Sequence, residues 1–337
     1  MDEFSTIDMK LRNFIELPLV SVVMPAFNSA LYIVEALTSA VNQDYPAIEV
    51  IVVDDGSTDA TPDIVKRFGP PVRLLIQANQ GAAAARNLGI TNARGKYIAF
   101  LDADDVWWRG KLRTQIEALA GTVHGMAYSR FICWRADENN RFPAAASEFL
   151  RDDHPGRSAG ELVTGFPYVE LLLDCIVWTS TVIVEKSAIK KAGLFDVTLR
   201  KGQDYDLWLR LSREVSMLGM EKPMALYRIH GGSITTSVRP INYEYKILLN
   251  AIERWGVVGP DGRIASPKYT AERLARSSRH HGLAHLARGD PRIAAHSFSL
   301  SMRHSRVSLT LVFLWLTAVF KQGLSTLRLQ LRSRPID

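Results

Sequence analysis

Apolar positions in the first hundred residues follow two periods in turn. Leu19-Val20-Ser21-Val22-Val23-Met24 and Ile48-Glu49-Val50-Ile51-Val52-Val53 are near-continuous apolar runs, as strands buried on both faces require, and residues 72–77 and 96–101 repeat the pattern. Between them, residues 31–41, 60–68 and 81–93 carry helical spacing, and Asp54-Asp55-Gly56-Ser57-Thr58-Asp59 supplies turn and helix-start signals. The alternation predicts an α/β domain with a mainly parallel sheet and helices on both faces, an architecture of Rossmann type.

Open sheets of this kind bind ligands beyond the carboxyl ends of their strands. Three such ends occur here: Pro25-Ala26-Phe27-Asn28, Asp54-Asp55-Gly56-Ser57, and Asp102-Ala103-Asp104-Asp105. At the last, an apolar run stops at clustered carboxylates, oxygen ligands for a hard cation, before Val106-Trp107-Trp108. Neither the G-x-G-x-x-G fingerprint nor a G-x-x-x-x-G-K loop follows the first strand, which argues against dehydrogenases and P-loop enzymes. A diphosphate without a glycine-rich cradle needs another counter-charge, and a divalent cation on Asp104 would supply it. Asp54 and Asp59 read as turn and helix-cap residues, Asp105 as a cap on the turn toward Trp107, and Trp107 and Trp108 as packing residues.

A chain of 337 residues, 47% hydrophobic and 23% charged, buries one substantial core and has room for a smaller second unit. Cys133 and Cys175 have neither metal-ligand nor disulfide-framework spacing, and the opening Met1-Asp2-Glu3-Phe4 is acidic where an export signal is basic, so a reducing, cytoplasmic setting is expected. The net charge of +6 is uneven: residues 271–337 hold eleven Lys and Arg against three carboxylates, a net of +8, which leaves about −2 for the rest. In this tail an apolar run at 307–320 is too short to cross a bilayer, while Leu309, Val312, Phe313, Leu316 and Phe320 recur at helical spacing. The tail either lies on an anionic membrane surface, which would make the protein peripheral on the inner face of the cell membrane, or packs on the catalytic domain with a solvated basic face. No nucleic-acid-binding motif accompanies the basic residues. His281 and His285 stand one helical turn apart without a third ligand and read as structural. Residues 287–291 break two helical runs, predicting a helical hairpin followed by the apolar segment.

Four segments, residues 20–28, 52–59, 81–90 and 102–105, in this order and spacing resemble the family 2 glycosyltransferases. That resemblance covers about residues 19–236. It implies a Rossmann-like GT-A fold with a mixed, mainly parallel central sheet over residues 18–238, divided into a nucleotide-sugar-binding half (18–120) and an acceptor half (121–238). A basic helical extension occupies 239–337. By the same resemblance Pro25, Ala26, Asn28 and Ala103 line the nucleotide-sugar pocket, Asp55 hydrogen-bonds the base, Arg86 contacts the nucleotide and Asp102 sits near the ribose. Asp104 would bind the Mg²⁺ or Mn²⁺ that bridges the diphosphate.

On the acceptor side Asp204, in Gly202-Gln203-Asp204-Tyr205-Asp206, falls where such enzymes carry their base. Gln203 replaces the glutamate usual there, and Asp206, two residues on, reads as structural. Tyr227-Arg228-Ile229-His230-Gly231-Gly232-Ser233 resembles a closing loop, with His230 on the metal or a phosphate oxygen, Arg228 adding charge and Gly231-Gly232 as hinge. Trp178, Thr179 and Gln203 are candidates for the acceptor site, although residues 178–184 fit a buried strand equally well, and residues 144–160 read as a long polar loop. The implied reaction is an inverting displacement of a sugar from a nucleoside diphosphate, with UDP favoured, onto a saccharide or lipid-linked acceptor in cell-surface polysaccharide or glycolipid synthesis. A sugar nucleotidyltransferase, which would carry a lysine-bearing glycine loop, and a non-catalytic nucleotide-sugar-binding subunit are the alternatives.

Overall fold

The computed structural model describes residues 17–139, 141–145, 162–230 and 238–332, with side chains in the last helix as far as Leu324. Most of the stretch read as a polar loop, and the glycine pair read as a hinge, lie outside the described residues. Strands are β1 (Val20–Ala26), β2 (Ile48–Asp54), β3 (Val72–Ile76), β4 (Tyr97–Phe100), β5 (Val106–Trp107), β6 (His124–Arg135), β7 (Ile183–Glu185) and β8 (Ser216–Ile229). Helices are α1 (Ile33–Val41), α2 (Thr61–Lys66), α3 (Ala82–Asn92), α4 (Lys111–Leu119), α5 (Tyr168–Leu173), α6 (Lys186–Ala192), α7 (Gln203–Glu214), α8 (Tyr243–Trp255), α9 (Pro267–Arg288), α10 (Pro291–His304) and α11 (Leu309–Arg332).

These elements form two compact units. The first runs to Gly165 and adds Val177–Val197 and Glu214–Ile229. It contains one eight-stranded sheet of order β3-β2-β1-β4-β7-β6-β8-β5. The expected parallel part is present as β3, β2, β1 and β4, and β6 pairs parallel with β8, whereas β7 and β5 join antiparallel. The sheet is therefore the mixed, mainly parallel one of a GT-A fold. The apolar runs are explained by burial: Val20, Val22, Met24, Val50, Val52 and Ala99 pack with Ile33, Leu37, Leu112 and Ile116 of α1 and α4 in one core. Each fully buried Val, Leu, Ile or Met side chain among them contributes about 1.5–3 kcal/mol.

Register aligns the strand ends. Ala26 pairs with Asp54 and Val23 with Phe100, so the segments after β1, β2 and β4 emerge side by side on one sheet edge. Helix α3 is drawn close against β1 at Gly89, where a Cβ would come within 2.5 Å of Val23 Cγ1. One carboxylate sits inside the sheet: Glu49 accepts from Ser21 Oγ and Arg94 N at 2.7 Å, and from Arg94 Nε and Arg73 Nη1 at 3.0 and 3.2 Å. Burial pushes its pKa up, but Ser21 and Arg94 outweigh this and hold it below the usual value.

The second unit comprises Phe166–Ile176, Thr198–Arg213 and the chain from His230 onward. The predicted hairpin is α9 and α10, broken at Gly289; Asp290 caps α10 by accepting from Arg292 N at 2.8 Å, and Pro291 opens it. Ala294 and Phe298 of α10 and Leu311 and Ala318 of α11 are buried in one cluster. His281 and His285 both direct Nε2 at the Arg239 carbonyl, at 2.8 Å each. A carbonyl only accepts, so both rings carry the proton on Nε2, which leaves His281 Nδ1 to accept from Ser297 Oγ and His285 Nδ1 from Asp290 N. Their role is structural, as the missing third ligand implied. No described helix is long and apolar enough to cross a membrane.

Candidate active site

The first unit assembles its candidate residues from three strand ends and one helix. After β1, Asn28 adopts a left-handed conformation (φ 48°), and its side-chain oxygen accepts from Thr58 N at 2.8 Å, tying the β1 end to the turn after β2. Pro25 and Ala26 are the last residues of β1, and the Ala26 carbonyl accepts from Asp55 N at 2.8 Å. Asp55 is buried; its carboxylate accepts from Gln77 Nε2, Gln80 N and Gly81 N at 2.7–2.8 Å, bracing the loop that opens α3. Gly56 beside it has φ 76°, and a Cβ there would stand 3.0 Å from Asn79 N, so only glycine fits. Asp59, one residue before the Ala60 N-cap of α2, accepts from Thr61 N and Oγ1 and from Ala30 N.

Helix α3 carries Arg86 into the site. Its guanidinium is buried and donates to Asp102 Oδ1 at 2.5 Å, with the Phe195 ring 5.4 Å away. Asp102 and Asp104 stay partly exposed, whereas Ala103 and Asp105 are buried. An alternation of this kind turns two carboxylates outward and one inward.

The inward one, Asp105, corrects the sequence reading of a turn cap toward Trp107. Its Oδ2 accepts from Ser180 Oγ at 2.5 Å and its Oδ1 from Arg228 N at 3.0 Å. Burial, followed by the charges of Asp104 and Asp102, pushes its pKa well up, against those two bonds. Ser180 Oγ also accepts from Asp102 N at 3.2 Å, and the Ser180 carbonyl accepts from Trp107 Nε1 at 2.6 Å. Trp107 is thus a packing residue with its N–H satisfied.

Arg228 is a second correction. Tyr227, Arg228 and Ile229 end β8 and are not part of a loop. The Arg228 guanidinium is buried among Trp134, Phe142 and Tyr32, 3.9–4.7 Å from the ring centres; it donates from Nε to the Asp104 carbonyl at 2.8 Å and pairs with Glu35 of α1. Its charge fastens the carboxylate loop from beneath.

Sequence reasoning missed Glu35, Ser180 and this role of Arg228. Nothing local marks them, because each acquires its partner across more than seventy residues. Trp178 and Thr179 enter a 3₁₀ turn (Thr179–Thr181), so the strand alternative holds only from Ile183 on. Thr179 is buried; the Trp178 ring lies 5.1 and 4.1 Å from those of Phe131 and Tyr227, and its buried Nε1 has no partner among the described residues.

In the second unit Asp204 occupies the first turn of α7, partly exposed. Its Oδ1 accepts from Tyr205 N at 2.9 Å, and Tyr205 itself is anchored by its hydroxyl to the Leu171 carbonyl. Burial and then the charge of Asp204 push the Cys175 thiol up, which keeps it unreactive. Asp206 instead holds Arg210 one turn on, at 2.8 and 3.0 Å. Gln203 has a buried Oε1 without a hydrogen-bond partner among the described residues, and His230 follows β8, half-buried. Among the described residues no three His, Cys, Asp or Glu side chains converge as a ready-made metal site. Asp104 and Asp102 still fit a divalent cation that takes one or two carboxylates and completes its shell with substrate phosphates.

A model described as glycosyl transferase family 2 matches residues 21–166. An uncharacterized glycosyltransferase of Rickettsia typhi is 31% identical over 231 residues, 68% of this chain and 70% of that protein. The chain belongs to the family 2 glycosyltransferases. WfaP of Escherichia coli, a UDP-Glc:α-D-GlcNAc-diphosphoundecaprenol β-1,3-glucosyltransferase, is 30% identical over 222 residues, 65% of this chain and 80% of WfaP. Among solved structures, S. aureus TarS 1–349 in complex with UDP superposes with a TM-score of 0.59 at 17% identity, over 90% of this chain and 89% of that one. A Pyrobaculum calidifontis mannosyltransferase in complex with GDP-Man and Mn²⁺ gives 0.52 at 20%, over 90% and 80%. At these identities the two structures establish the GT-A fold alone.

Proposed function

We propose that this family 2 glycosyltransferase moves a sugar, with inversion, from a UDP-sugar to a saccharide or lipid-linked acceptor in polysaccharide or glycolipid assembly. The observation that carries the reading is the convergence, on one sheet edge, of the β1, β2 and β4 ends with Arg86. The relatives support the finer parts: WfaP uses UDP-Glc and a diphosphoundecaprenol-linked acceptor, and TarS was solved with UDP. Pro25, Ala26, Asn28, Asp55 and Ala103 then hold the nucleotide, Arg86 and Asp102 its ribose side.

Asp204 accepts the proton of an acceptor hydroxyl. That oxygen forms the new bond to the anomeric carbon while the bond to the diphosphate oxygen breaks and its electron pair leaves with the nucleotide. Asp104 would hold Mn²⁺ or Mg²⁺, which supplies charge stabilisation to the departing diphosphate. The aromatic surface of Trp178, Phe131 and Tyr227, together with Thr179, is assigned to the acceptor.

The test is sugar transfer from a panel of nucleotide sugars with Mn²⁺ and membrane extract, comparing wild type with Asp204→Asn and Asp104→Ala. Asp204→Asn is expected to keep nucleotide binding and lose at least a hundredfold in turnover, within the usual range for a general base. Asp104→Ala is expected to lose the response to Mn²⁺. A wild type that binds nucleotide but neither transfers nor hydrolyses sugar would leave a binding subunit, the reading that the Gln203 replacement favours.

A further inference from the structure

Helix α11 has two apolar faces, and its packing on α10 uses only one. Leu311 and Ala318 are buried in the α10 cluster, with Leu314 and Trp315 against its edge. On the other side Leu309, Phe313, Leu316, Phe320 and Leu324 recur at intervals of four, three, four and four residues, one continuous stripe. They are far from incidental surface: Leu309 is 91% exposed and Phe313 and Phe320 69% each. At about 1.5 Å per residue the stripe is roughly 22 Å long.

Charge selects the occupant. From Pro291 to Ile336 the sequence holds seven cations (Arg292, Arg303, Arg306, Lys321, Arg328, Arg332, Arg334) and no carboxylate. A second copy docked stripe to stripe would bring two such segments together with no counter-charge, whereas a lipid surface bearing phosphates would pair them. Since the helix does not qualify as a membrane span, the geometry left is in-plane.

We propose that α11 is an in-plane membrane anchor, its Leu309–Leu324 stripe sunk below the headgroups of an anionic bilayer and its flanking Arg and Lys on lipid phosphates. The inference needs neither the donor nor the base assignment, since its readout is binding to lipid. The probe is flotation of the full chain with vesicles of phosphatidylcholine alone and of phosphatidylcholine mixed with phosphatidylglycerol. Binding is expected only to the anionic vesicles and is expected to fall with salt. Phe313→Ser with Phe320→Ser, at exposed positions, is expected to weaken it about a hundredfold, from two lost side-chain insertions. Arg306→Gln with Lys321→Gln is expected to weaken it at least about tenfold. Unchanged circular dichroism and sedimentation confirm that each variant remains folded. Failure to float with anionic vesicles overturns the proposal, as does flotation indifferent to Phe313→Ser/Phe320→Ser. So does a self-associated wild type that the same double variant renders monomeric, since the stripe would then be a self-interface.

Discussion

Replacing Arg228 by methionine separates a buried fastening role from a surface one. The substitution keeps a flexible apolar stem among Trp134, Phe142 and Tyr32 and removes three things. The Asp104 carbonyl loses its Nε donor, which for a buried acceptor costs about 1–3 kcal/mol. The desolvated guanidinium–ring contacts are worth about 2 kcal/mol, of which sulfur–aromatic contact returns about 1. The Glu35 pair counts for under about 1 kcal/mol, because that carboxylate is half exposed to water. A net loss of about 3 kcal/mol is expected for Arg228→Met in urea unfolding followed by tryptophan fluorescence. Arg228→Lys keeps the charge but not the planar fork, and is expected to lose about half as much. The same loop carries Asp104, so UDP binding in the presence of Mn²⁺ is expected to weaken in both variants, in the same order. A methionine variant within about 1 kcal/mol of wild type, with unaltered nucleotide binding, would refute the fastening role.

Two further outcomes depend on pH. Glu49 titrates below its usual 4.5 in the fold, so its contribution is present above 4.5 and is lost as pH falls through the lower folded value; Glu49→Gln is expected to cost about 1–2 kcal/mol at neutral pH and to flatten the stability profile below 4.5, as read by chemical unfolding across that range. His281, whose pKa burial lowers from 6.5, resists protonation in the folded state while the unfolded chain takes the proton, so stability is full above 6.5 and declines below it. His281→Asn is expected to reduce that decline, and an acid profile identical to wild type in the variant would remove His281 as its source.

Strands β1, β2 and β4 were legible because each is a short, near-continuous apolar run buried on both faces, and half-buried β3 shares the run. β6 and β8 were not. Their burial alternates with half-exposed positions, β8 carries Glu221 and Lys222 exposed at mid-strand, and their pairing spans some ninety residues. Arg228 shows the cost of reading locally: beside a Gly-Gly-Ser sequence a cation looks like a loop charge, and only the pairing of β8 with β6 reveals the aromatic pocket around it. Asp102, Asp104, Asp55 and Asp204 were visible by motif and by position at element ends, but the local sequence gave no sign that Asp105 turns inward. Ser180 hides among Trp178-Thr179-Thr181 because a hydroxyl in an apolar stretch has many uses.

Ser180, Arg228 and Glu35 have a consequence for anyone who recombines these enzymes. The loop that carries Asp104 is finished by residues from the middle of the chain and from β8, so the first hundred or so residues are not a transferable cassette. A chimera that grafts this donor segment onto another family member must import Ser180 and Arg228 with it, or leave the buried Asp105 carboxylate without its hydroxyl donor and the Asp104 carbonyl without its guanidinium. Substitution at Ser180 of the 3₁₀ turn or at Arg228 of β8 is therefore constrained by a loop that neither adjoins in the chain.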